Sequence, residues 1–88
     1  MPQRFSTFPD TIIAGTTVTV ILTNGTGASF PLGASVTFYD ANGAEIGGNG
    51  LPVFHQAGEG HPINVPENCA TLTITSSQSQ TLSKIVTQ

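Results

Sequence analysis

Basic residues are nearly absent: Arg4 and Lys84 are the only two, set against five acids and a net charge of −3. A chain this poor in cations has no patch that neutralises several phosphates, so non-specific nucleic-acid binding loses its driving force. The same shortage disfavours an anionic membrane surface. No apolar run approaches the roughly 20 residues needed to span a bilayer. Tryptophan is missing and Cys69 is the single cysteine, which excludes an internal disulfide framework. Cys69 is expected to be a buried, inert thiol; on the surface it would be free to pair between chains. Charged residues make up 8% of the 88, against roughly 25% in an average globular protein. Hydroxyls and amides must therefore keep the surface soluble, and such a surface suits a lasting contact with protein or sugar.

What is present is β pattern. Thr and Val recur at period two, and no sustained helical period occurs anywhere in the chain. Residues 16–23 are β-branched almost throughout, with Val18 and Val20 on one side and Thr17, Thr19 and Ile21 on the other. In 34–39, Ala34, Val36 and Phe38 alternate with Ser35, Thr37 and Tyr39. Asn42-Gly43 supplies the positive φ values of a type I′ hairpin leading to a short strand at 44–46. Gly47–Gly50 reads as a loop and 51–55 as a short edge strand carrying Pro52. Strands at 61–65, 70–75 and 82–87 complete the set, the last two joined by a turn over 76–80.

That makes about seven short antiparallel strands in one all-β sandwich, with residues 1–9 as either an eighth strand or an N-terminal arm. Punctuation every 8–12 residues and the absence of any linker make residues 1–88 one domain. Phe8-Pro9 and Phe30-Pro31 read as sheet-to-sheet crossings, each ring folded onto the core edge.

Three features carry a resemblance: Pro31-Leu32-Gly33-Ala34-Ser35-Val36, the Asn42-Gly43 turn, and Val65-Pro66 leading to Leu72 and Ile74. In this rhythm the chain resembles small Ig-like and prealbumin-like modules, of the carboxypeptidase-regulatory or bacterial surface-repeat type. The step from Phe30 to Val36 also resembles the C-terminal domain of pilus ushers, although those domains carry a second cysteine and a tryptophan. The resemblance implies an Ig-like, Greek-key sandwich and speaks to architecture rather than activity. The lysine and acidic partner that form isopeptide cross-links in some surface repeats are not marked: Lys84 is the only lysine.

Catalytic constellations are not evident. No serine sits in a Gly-x-Ser-x-Gly elbow, Cys69 has no recognisable orienting group beside a histidine, and the five acids are scattered. The expectation is that the chain is no enzyme and holds no cofactor. His55 and His61 flank Glu59 across a Gly-rich turn; two imidazoles and a carboxylate are a legitimate zinc set, but the spacing matches no tight motif and no metal is assigned. Asp40-Ala41-Asn42-Gly43 begins like a calcium loop and departs after its third position, so the hairpin explains it. Asn24-Gly25-Thr26 is a glycosylation sequon that matters only in a eukaryotic secretory setting. Tyr39 is the one obvious stacking residue for a sugar.

The composition thus points to a non-catalytic structural protein, foremost a decoration or cement protein on a bacteriophage or viral capsid, located in the virion. An Ig-like domain of a secreted bacterial adhesin or usher, outside the cell or on its surface, is the second reading, and a small carbohydrate-binding module the third. The start Met1-Pro2-Gln3-Arg4-Phe5 lacks the apolar stretch of a signal peptide, which leaves a secreted fragment, a cytoplasmic product and a virion component all open. The expected partner is a protein assembly such as a shell, with carbohydrate as the alternative and neither nucleic acid nor membrane. Candidate partner contacts are Phe5, Phe8, Tyr39, His55 and His61.

Overall fold

The computed structural model describes residues 4–23, 31–76 and 79–87. Among them there is no helix, and the chain forms a β-sandwich. The strands in chain order are β1 (Arg4–Phe8), β2 (Ile12–Ile13), β3 (Thr17–Thr23), β4 (Ser35–Tyr39), β5 (Glu45–Gly50), β6 (Gly60–Asn64), β7 (Thr71–Ser76) and β8 (Ser79–Thr87). One sheet has the order β1-β3-β6 and the other β2-β8-β7-β4-β5. All pairings are antiparallel except β2 on β8, which is parallel.

Alternation decides which residues face the space between the sheets. Val18, Val20 and Leu22 of β3, Val36 and Phe38 of β4, and Leu72 and Ile74 of β7 are all buried. Their sequence neighbours Thr17, Thr19, Thr37, Thr71 and Thr73 stand on the outer faces, exposed or half-buried. The register seals this arrangement, because Val36 lies opposite Ile74 and Phe38 opposite Leu72. A slip by one residue would turn every one of these apolar side chains outward.

The first segment belongs to this domain's own sheet: Arg4–Phe8 pairs along its whole length with β3, Phe5 opposite Leu22. The chain then changes sheets across Pro9–Thr11, after a cis Phe8–Pro9 peptide, and Ile12–Ile13 joins β8 in the other sheet. The sheet-to-sheet crossing here is as expected, but the ring is not folded onto the core. Phe5 and Thr7 take the inward positions of β1, which leaves Phe8 70% exposed. Phe30, at the other expected crossing, and the Asn24 sequon lie outside the described residues.

Three further local expectations are corrected. Residues 47–50, expected as a loop, continue β5 because β4 templates them along a shared register from Phe38↔Gly47 to Ser35↔Gly50. Glycine is needed in that stretch: a Cβ on Gly48 would stand 2.7 Å from the Val36 carbonyl oxygen. Residues 51–55 form no strand; Phe54 makes a single bridge to Leu32, with both backbone hydrogen bonds at 2.9 Å. The next strand, β6, pairs with β3 and not with this segment. The Asn42-Gly43 hairpin is not a two-residue type I′ turn. Asp40 and Ala44 close it at 2.9 Å around a three-residue loop, with the positive φ of 83° on Gly43.

Candidate interaction surface

The loop after β5 is organised by one carboxylate. Glu59 Oε1 accepts the backbone N–H of His55 at 3.0 Å, and Glu59 Oε2 lies 2.8 Å from His61 Nε2. The same imidazole nitrogen is 3.1 Å from the Val53 carbonyl oxygen. Both neighbours of Nε2 are acceptors, so the tautomer that satisfies the site carries its proton on Nε2. The His61 ring packs on Phe54 with centroids 4.6 Å apart, and Phe54 packs on Phe5 at 5.7 Å. Glu59 and His61 thereby join an irregular surface segment to the core. The sequence set His55 and His61 on either side of Glu59, and the structure brings Glu59 to the His61 ring and to the backbone of His55. No group of three metal-ligating side chains forms among the described residues.

Tyr39 stands elsewhere, on the outer face of the five-stranded sheet. Cross-strand pairing lines up Ile85, Thr71, Tyr39 and Glu45 on β8, β7, β4 and β5. At about 4.8 Å between strands this row is about 14 Å long. The next row along the strands is Ser83, Thr73, Thr37 and Gly48. Ile85 is 82% exposed, and Ile13 of β2, opposite Thr87, is 47% exposed. Glu45 is the one ionisable carboxylate or amine in these rows. Phe38 faces inward as expected, leaving Tyr39 half-buried among threonines.

The other expected contacts do not converge on this face. Phe5 is a core residue with 4% exposure and is unavailable to a partner, because the inward phase of β1 falls on it. Phe8 projects from the opposite sheet, opposite Thr19. His55 is exposed on the loop. Ile13, Val53 and Ile85 were missed as exposed apolar residues. Ile85 was legible: Leu82, Lys84 and Val86 share one phase of β8, which leaves Ile85 on the other with Ser83 and Thr87.

Two polar arrangements hold the frame. Asp40 Oδ1 accepts the amides of Asn42 and Ala44, both at 2.9 Å, so the aspartate that looked like a calcium ligand caps its own hairpin. Lys84 Nζ donates to the Asp10 carboxylate and, at 3.0 Å, to the Asp10 carbonyl oxygen. Cys69 is fully buried and its thiol donates to the Thr71 carbonyl at 3.3 Å. Burial pushes that thiol above its ordinary value, with backbone hydrogen bonds at Tyr39 and Thr71 pulling the other way.

No family model, curated protein or solved structure matches the chain.

Proposed function

We propose that this chain is a non-catalytic interaction module, an Ig-like sandwich that decorates a larger protein assembly, foremost a bacteriophage or viral shell. The observation that carries the reading is the outer face of the five-stranded sheet. Ile85, exposed over 82% of its surface, borders rows of threonine and serine with Tyr39 among them and Glu45 at one end. Apolar side chains rimmed by uncharged hydrogen-bonding groups suit a desolvated contact with another protein. The strand order supports the Ig-like label: the N-terminal segment gives β1 to one sheet and β2 to the other, where it runs parallel to the last strand.

Co-sedimentation of the purified protein with assembled shells from its source tests this. Stoichiometric association, lost in Ile85→Lys, supports it; no association with any shell overturns it. The single tyrosine amid hydroxyls also favours a second reading, a carbohydrate site centred on Tyr39. Binding of one sugar class on a glycan array, abolished by Tyr39→Ala and unaffected by Ile85→Lys, would select that reading over the first.

A further inference from the structure

Two Asn-Gly pairs lie among the described residues, and the fold treats them oppositely. Asn42-Gly43 sits in the hairpin, where the Gly43 amide donates to the Asp40 carbonyl at 3.0 Å. The Asp40 carboxylate lies inside the same turn, accepting from Asn42 and Ala44. Asn49-Gly50 sits at the end of β5, the outermost strand of its sheet. Leu51 N–H donates to the Ala34 carbonyl at 2.9 Å, one step beyond the Ser35↔Gly50 pair in the same register. Hydrogen-bonded and non-bonded pairs alternate along an antiparallel ladder. Ser35↔Gly50 is therefore a non-bonded pair, and the Gly50 N–H points away from β4 to the open side of the sheet.

We infer that Asn49 is a site of spontaneous deamidation, reacting well ahead of Asn42. The Gly50 nitrogen gives its proton to water or hydroxide and attacks Cγ of Asn49. The bond from Cγ to the side-chain nitrogen breaks as that nitrogen takes a proton from water, and ammonia leaves. Water then opens the five-membered imide at either carbonyl to give aspartate or isoaspartate. A glycine after the asparagine puts no Cβ in the path of attack. The Gly50 nitrogen is not held by a strand partner, whereas deprotonating the Gly43 amide means breaking its bond to Asp40. An anion forming at Gly43 would also lie beside the Asp40 carboxylate, and a like charge disfavours it. Opening β5 is easier too, because it is rich in glycine, interrupted by an irregularity in register opposite Phe38 and Tyr39, and paired on one side only. The product places a negative charge in the stretch from Ile46 to Gly50, which has none, and so discourages strand pairing at that edge.

The test is peptide-resolved mass spectrometry of the whole protein, aged at mildly alkaline pH. Cleavage after Glu45 and Glu59 isolates Asn49 on residues 46–59, and fragmentation localises conversion at Asn42. Asn49 should convert at least about tenfold faster than Asn42, the ratio given by about 1.4 kcal/mol. Gly50→Ala should suppress conversion at Asn49 with an unchanged circular dichroism spectrum, since nothing lies within 4 Å of the added Cβ. Asp40→Ala should raise the rate at Asn42. Conversion at Asn42 as fast as at Asn49, an unaltered Asn49 rate in Gly50→Ala, or no conversion at Asn49 overturns the inference.

Discussion

Lys84 and Asp10, 74 residues apart in sequence, meet at the corner where the chain passes from one sheet to the other. Lys84 lies on the inward phase of β8 with Leu82 and Val86, and its ammonium reaches out to the Asp10 carbonyl and carboxylate. The only lysine of the chain thus closes the corner after Pro9. Asp10 is 90% exposed at its side chain, so solvent screens the pair and its contribution is that of a surface bridge. Lys84→Met should cost about 1 kcal/mol or less in urea unfolding. Amide exchange at Ala14, which bonds the Thr87 carbonyl at 2.8 Å, should speed up more than exchange in β7.

Phe54→Ala and Phe8→Ala should separate core from surface. Phe54 is fully buried against Phe5 and His61, and its truncation should cost about 3–5 kcal/mol. Phe8 is 70% exposed, and its truncation should change stability by about 0.5 kcal/mol or less. Equal losses in the two variants would contradict the assignment of β1's inward phase to Phe5 and Thr7.

Glu59 is the anchor of the 51–61 segment. Glu59→Gln keeps an acceptor for the His55 amide and removes the charge beside His61, whereas Glu59→Ala removes both contacts. The alanine variant should lose about 1–3 kcal/mol, and the glutamine variant clearly less. Denaturant melts of the two proteins, with proteolysis of the loop as a local probe, measure the difference.

Cys69 gives stability a pH dependence on the alkaline side. Burial holds its thiol above the ordinary value of 9.0. Between the unfolded and folded values the native thiol keeps its proton while the unfolded one has lost it, so rising pH favours unfolding. Stability should be unaffected by this group below that value and fall above it, by at most about 1.4 kcal/mol per pH unit. Cys69→Ala should remove that part of the slope. The native thiol should resist alkylation at neutral pH.

Ile85→Lys should leave the fold intact, since the side chain is 82% exposed, with a change of about 0.5 kcal/mol or less in denaturant unfolding. That makes it a clean probe of partner binding through the outer face.

Sequence alone determined the fold class, because side-chain phase is a local property. Alternation over 16–23, 34–39 and 70–75 separated buried from outward residues, and each division holds in the structure. Features that depend on a neighbouring strand were decided only by tertiary structure. Gly47–Gly50 is a strand because β4 lies beside it, although its own residues favour a loop. Ile12–Ile13 is too short to leave a periodic signal and exists as a strand through its pairing with β8. The candidate contacts divided for the same reason. Phe5, Phe8, Tyr39, His55 and His61 are separated into core, two opposite faces, a loop and strand β6 by which sheet each strand joins. Local chemistry can show that Lys84 is the sole lysine; that it secures Asp10 is a fact of packing, written 74 residues away.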